Sequence, residues 1–166
     1  AEKLTAALSG LTGAVSGQSA NNLPFFASNG AGSGDAAAML RQFEQFRSKP
    51  YFDVNALRVG YGSDTVTRAD GSISPVNRNT SVSVEDAERD LIRRIGDTQA
   101  RIAQQIGPSI FASLDSKAQA SLTSVGYNYG SLPGRILGAA KTGDNNLISE
   151  AILSLRNDNG GVNAKR

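Results

Sequence analysis

From Asp35 onward, apolar positions follow helical or strand periods that break at proline, glycine and acidic capping residues. In DAAAMLRQFEQFRS, Met39, Leu40, Phe43 and Phe46 share one helical face. Asp35 is a good N-cap before them, so a helix is expected to start there and to end at Pro50. Residues 51–80 lose the helical period. YFDVNALRVGYG is rich in β-branched and aromatic residues, and Ala69-Asp70-Gly71 is a hairpin turn signal, so strands and turns are expected. The helical period returns with Val84, Ala87, Leu91, Ile95, Ile102 and Ile106. Ser83 is its N-cap, Glu85 and Asp86 suit the positive end of the helix, and Gly107-Pro108 ends it. A helix this long often connects two lobes.

The last third is helical as well. Asp115 heads SKAQASLTSVGYNY, with Ala118, Leu122, Val125 and Tyr129 inward and Gly130 as C-cap. GRILGAAKT stops at Gly143. Asp144 caps a further helix whose apolar face is Leu147, Ile148, Ala151, Ile152 and Leu155, and NDNGGVN is a turn. The order is helix, small β-hairpin region, then helices. That order predicts an α+β fold, mostly helical, with the sheet confined to one end.

Residues 1–35 read differently. They hold six glycines and only three charged side chains, Glu2, Lys3 and Asp35. Leu4, Leu8, Leu11 and Val15 are spaced for a short weak helix, and QSANNLPFFASNGAGSG reads as a flexible linker, with Phe25 and Phe26 positioned to dock on the domain. The expected organisation is a Gly/Ala/Ser-rich tail over 1–35 and a folded domain over 36–166. The start at Ala1 is read as a processed product or a piece of a longer polypeptide. LTAALSGLTGAVSG falls short of the roughly 20 residues of a membrane span and lacks the basic start of a signal peptide.

Composition narrows the chemistry. Lys plus Arg is 17 and Asp plus Glu is 15, a formal net charge of +2. That is too balanced for a typical nucleic-acid binder, yet compatible with attraction to an anionic polymer. Cysteine and histidine are both absent. Disulfides, a thiol nucleophile, a Cys/His zinc site and a Ser-His-Asp triad are therefore excluded. Any acid–base chemistry falls to Asp, Glu, Lys or Tyr, and no metal or cofactor is implied.

Glu44 and Asp53 are the candidate pair, with eight residues between them. Glu44 sits near the end of the first helix beside Leu40, where Phe43 and Phe46 are expected to reduce its hydration and favour its neutral form. Asp53 stands where the chain enters the first strand, near Asn55 and Arg58, a polar setting that favours the charged form. One neutral and one charged carboxyl is the arrangement that glycoside hydrolysis uses.

The stretch FEQFRSKPYFDVNALRVGYGSDT resembles the active-site segment of phage-type lysozymes, glycoside hydrolase family 24. The matching positions are Glu44, Arg47, Tyr51, Asp53, Gly60 and Gly62. SLTSVGYNYGSLPGRILGAAKTGD resembles the family's second-lobe helix pair, and GGVNAKR resembles a turn before its last helix. The resemblance covers roughly residues 36–166. It implies a two-lobed muramidase that cleaves the β-1,4 bond between N-acetylmuramic acid and N-acetylglucosamine. Glu44 would be general acid and Asp53 its charged partner. Tyr61, Tyr127 and Asn128 would contact substrate. No cofactor is implied; the partner is peptidoglycan glycan strands. The site of action is the bacterial cell wall, by a phage-encoded protein that is carried in the virion or released at lysis.

The chain departs from the family in three places. Arg58 stands where the family usually has a threonine that helps hold the attacking water, and the segment from Asp53 to Gly60 is one residue short. Ser63 and Thr65 are candidate substitute hydroxyls, and Arg58 is a candidate partner for Asp53. Gln45 replaces a family glycine. Arg93 and Arg94 read as solvated charges on the long helix. Two rival functions follow: a lytic transglycosylase, which needs one acid/base carboxyl, and a non-catalytic wall-binding module.

Overall fold

The computed structural model describes residues 30–155. The expectations for Leu4 to Val15, for Phe25-Phe26 and for the NDNGGVN and GGVNAKR segments lie outside these residues. The described elements are α1 (Gly30–Phe43), β1 (Arg47–Asp53), β2 (Ala56–Gly60), β3 (Thr65–Thr67), β4 (Ile73–Pro75), α2 (Val84–Ile106), α3 (Pro108–Ser113), α4 (Ser116–Tyr129), α5 (Gly134–Thr142) and α6 (Asn145–Leu153). Two antiparallel hairpins, β1 with β2 and β3 with β4, make up the strand content. The α+β expectation holds.

Local capping chemistry places the helix ends. The Ser83 hydroxyl accepts from the Asp86 N–H at the start of α2. The Asp115 carboxylate accepts from Ala118 N–H, and Asp144 from the Asn146 and Leu147 N–H groups. Each satisfies donors that the first turn leaves without helical partners. Gly130 and Gly143 end their helices in the left-handed conformation. The Ala69-Asp70-Gly71 turn joins β3 to β4, with the Gly71 N–H donating to the Arg68 carbonyl at 3.0 Å. The short helix α3 was not anticipated.

Two boundaries of α1 differ from expectation. The helix is already formed at Gly30, so Asp35 lies within it rather than capping it. Residues 30–35 are thereby part of the folded body. Gly32 packs so closely on α4 that a Cβ there would collide with the Gln119 side chain. The Ser33 hydroxyl donates to Gln99 Oε1 at 2.8 Å. Tertiary contact overrides the weak helical preference of glycine. At the other end α1 stops at Phe43, and Pro50 falls inside β1. The residue before a proline avoids the helical conformation, which favours an extended approach to Pro50. The β1–β2 register shifts between Arg47 and Tyr51, the interval that contains this residue without an N–H.

The long helix α2 belongs to two cores. Its first half places Ala87, Leu91 and Ile95 with Ala36, Ala37, Leu40, Val59, Val66 and Ala120. Its second half places Ile102, Ala103 and Ile106 with Phe111, Leu122, Ile136 and Ile148. The connector reading of 84–106 therefore holds. Gly126 lets α4 cross α2 closely, since a Cβ there would lie 3.0 Å from the Thr98 methyl. Tyr129, expected inward, is 40% exposed, because α4 ends at the surface.

Candidate active site

Glu44 follows the last residue of α1, and its N–H still donates to the Leu40 carbonyl at 2.7 Å. Its side chain is half-buried. The carboxylate rests on the turn after β2: a Cβ on Gly62 would lie 3.2 Å from Glu44 Oε2 and 3.9 Å from the Tyr51 hydroxyl. Gly62 also has φ +71, so a side chain there is opposed by both backbone geometry and space. Phe46, expected to reduce the hydration of Glu44 together with Phe43, packs on Tyr61, with ring centroids 5.8 Å apart. It lies beyond the helix, so the helical-face argument does not reach it.

The β1–β2 hairpin carries the rest of the site. Tyr51 pairs with Arg58, Phe52 with Leu57, and Asp53 with Ala56. Strand alternation puts Tyr51, Asp53 and Arg58 on one face. Burial and the negative charges of Glu44 and Asp53 raise the Tyr51 pKa, against the opposing effect of Arg47 and Arg58. Tyr51 thus stands within electrostatic reach of both candidate carboxylates. The Arg47 guanidinium carbon lies 4.4 Å above its ring. Asp53 is exposed at the hairpin end. Directly after it, Val54 has φ 51 and the Asn55 N–H donates to the Asp53 carbonyl at 2.6 Å. This is a tight three-residue turn that a β-branched residue adopts only under strain.

Arg58 does not ion-pair with Asp53. Among the described residues the arginines in ion pairs are Arg41, Arg68, Arg89 and Arg93. The register explains the difference, since it sets Arg58 opposite Tyr51.

Ser63 and Thr65 are likewise placed away from the role of spare hydroxyls. Ser63 Oγ donates to Asp90 Oδ2 at 2.5 Å, and Thr65 Oγ1 to Asp90 Oδ1 at 3.1 Å. Thr67 Oγ1 adds a third donor at 2.7 Å, and Arg93 donates to Asp90 at 3.0 Å. Asp90 is 2% exposed, a buried carboxylate with its lone pairs occupied. The cluster ties the second hairpin to α2. Arg93 is therefore a structural cation rather than a solvated one.

Tyr61 and Tyr127 are also less available than expected for stacking on a sugar. Tyr61 is buried. Burial and its hydrogen bond to Glu88 push its pKa up to about 12. Glu88 is held in turn by Arg41, with contacts of 2.8 and 2.6 Å. The Tyr127 ring has the Arg94 guanidinium carbon 4.3 Å over one face. Its hydroxyl accepts from Arg94 at 2.7 Å and donates to the Tyr61 carbonyl at 3.1 Å. Burial pushes its pKa up to about 12 despite Arg94. Arg94 is thus no solvated charge either. Asn128 is exposed, and its amide N–H donates to the Ser124 carbonyl of its own helix at 2.8 Å. Its amide oxygen makes no hydrogen bond among the described residues.

The structure places Glu44, Asp53 and Arg58 around Tyr51. It moves Tyr61, Ser63, Thr65 and most of Tyr127 into the support behind it. Tyr51 was named from the sequence only as a position of the resembling segment, with no role, and Asp90 was not singled out. Asp90 had a signal: an acid between Ala87 and Leu91 on the apolar stripe of α2, which demands buried donors.

The sequence model of the phage lysozyme family matches residues 41–163. Among solved structures, an endolysin from Escherichia coli O157:H7 phage FAHEc1 is similar with a TM-score of 0.55 and 20% identity, over 71% of this chain and 72% of that one. At that identity the likeness concerns the fold. No curated protein sequence matches the chain.

Proposed function

The chain belongs to the phage lysozyme family, and on that premise we propose that this peptidoglycan hydrolase is a muramidase with Glu44 as general acid and Asp53 as its charged partner. The bond cleaved is the β-1,4 link from N-acetylmuramic acid to N-acetylglucosamine. Glu44 protonates the leaving oxygen, and Asp53 stabilises positive charge developing at the sugar or orients a water. The observation that carries this reading is the shared placement: the Glu44 carboxylate rests against Gly62 beside the Tyr51 hydroxyl, on the hairpin face that also bears Asp53. The protein would act on glycan strands of the cell wall, from a phage, in the virion or after release at lysis.

A second reading, lytic transglycosylation, is favoured by one detail. Both hydroxyls available to replace the family threonine are committed to Asp90. A site that lacks the family's threonine hydroxyl for holding the attacking water would suit intramolecular closure by the sugar's own 6-hydroxyl. Digestion of purified sacculi by wild type and Glu44→Gln tests both readings. The expected result is cleavage to reducing N-acetylmuramic acid ends by wild type, and none by the folded Glu44→Gln protein. 1,6-Anhydro ends would replace hydrolysis with transglycosylation. Clearing of sacculi by Glu44→Gln would remove Glu44 from the site. Binding without cleavage by wild type would leave a wall-binding module.

A further inference from the structure

Glu44 stands one residue past the end of α1, in a short segment without regular structure that runs to Phe46. The helix alone therefore does not fix where its carboxyl points. Two anchors flank it. On the helix side Arg41, three residues earlier, donates to the Glu88 carboxylate through Nε at 2.8 Å and Nη2 at 2.6 Å. On the other side Phe46 packs on Tyr61, and Tyr61 directly precedes Gly62, whose missing side chain leaves the Glu44 carboxylate its seat. The Tyr61 hydroxyl donates to the same Glu88.

Glu88 thus ties both anchors to α2. Its base is rigid, because Ala87 and Leu91 of the same helix are buried in the core. The turn is seated on α2 at Gly60 as well, where a Cβ would lie 3.0 Å from the Ala87 Cβ. A guanidinium fork on a carboxylate fixes direction as well as distance, and partial burial strengthens it. The contacts close a circuit that runs from Glu44 through the last turn of α1, Glu88, Tyr61 and Gly62 back to Glu44. Resting on the muramidase reading above, in which Glu44 is the general acid, we propose that Glu88 is a positioning residue: through Arg41 on one side and Tyr61 on the other it holds the Glu44 carboxyl at the leaving oxygen. Its effect falls on turnover, since a displacement of about 1 Å at a reacting group can cost roughly 10²-fold in rate.

The test measures kcat and KM on solubilised glycan strands, and melting temperature, with each variant assayed where it is folded. Arg41→Gln and Tyr61→Phe open the circuit at different points. Each should lower kcat by about tenfold and leave KM within about twofold of wild type. The Arg41→Gln/Tyr61→Phe double variant and Glu88→Gln should each lose about tenfold too, because a circuit already open is not opened further, whereas independent effects would multiply to about a hundredfold. Arg41→Lys, which keeps the cation without the fork, should recover part of the turnover lost in Arg41→Gln. Asp86→Asn breaks the ion pairs with Arg68 and Arg89 on the same helix, and should melt lower at wild-type kcat. Wild-type kcat in Arg41→Gln and Tyr61→Phe would overturn the proposal and leave Glu88 a structural group. Losses that multiply in the double variant would overturn the common role of Glu88, and an equal loss of kcat in Asp86→Asn would trace turnover to stability alone. Wild-type turnover by folded Glu44→Gln would instead remove the general acid, and the positioning role with it.

Discussion

The Tyr127 hydroxyl donates to the Tyr61 backbone carbonyl at 3.1 Å. That single bond joins α4 to the turn after β2, one residue before the glycine on which Glu44 rests. Arg94 of α2 completes the link by donating to the same hydroxyl at 2.7 Å. Three elements thus meet behind the candidate general acid.

Tyr127→Phe keeps the ring under Arg94 and removes the hydroxyl. The Tyr61 carbonyl and one Arg94 N–H lose their partner, at a cost of about 1–3 kcal/mol. The expected outcome is a lower melting temperature together with a kcat that falls more than KM rises. Unchanged kcat at an equally lowered melting temperature would limit the bond to stability.

Gly62→Ala and Gly71→Ala separate backbone strain from close approach. Both positions have left-handed φ, +71 and +83, so each substitution should lose about 1–2 kcal/mol of stability. Only at Gly62 would the new methyl press on the Glu44 carboxylate, 3.2 Å away. Gly62→Ala is therefore expected to lose at least tenfold in kcat, while Gly71→Ala, with open space around it, keeps wild-type turnover. Steady-state kinetics beside thermal melts decide it.

Asp53→Asn should lower activity less than Glu44→Gln if its role is to stabilise charge. Positioned acid–base groups contribute roughly 10²–10⁴-fold. Equal losses in the two variants, measured on the same sacculi, would make Asp53 as essential as the acid. Wild-type rates would exclude it.

Acid sensitivity should trace in part to Glu88. Its burial would raise the pKa, but hydrogen bonds from Arg41 and Tyr61 outweigh this and hold it below its ordinary 4.5. A carboxyl with a depressed folded pKa adds stability that is present above 4.5 and lost as the pH falls through the folded value. Glu88→Gln is expected to lower the melting temperature at neutral pH and to flatten its decline below 4.5. A decline as steep as wild type would show that other carboxylates carry it.

The sequence by itself determined the starts of α2, α4 and α6, the stops of α4 and α5, and the long helix that joins two cores. Ser83, Asp115 and Asp144 cap, and Gly130 and Gly143 stop, through contacts within three or four residues, so their chemistry is complete in the local string. The order Glu44, Asp53, Gly60, Gly62 was legible for the same reason: one short hairpin carries it. Only the tertiary structure decided which polar and aromatic side chains face the site. Ser63 and Thr65 turn to Asp90, Tyr61 to Glu88, and Tyr127 to Arg94, across separations of 25 to 33 residues that no periodicity reports. The start of α1 was settled in the same way, by Gly32 and Ser33 meeting Gln119 and Gln99. A buried hydrogen-bond donor or acceptor takes whichever partner the packing of distant elements brings to it, because leaving it without one is more unfavourable than any local preference.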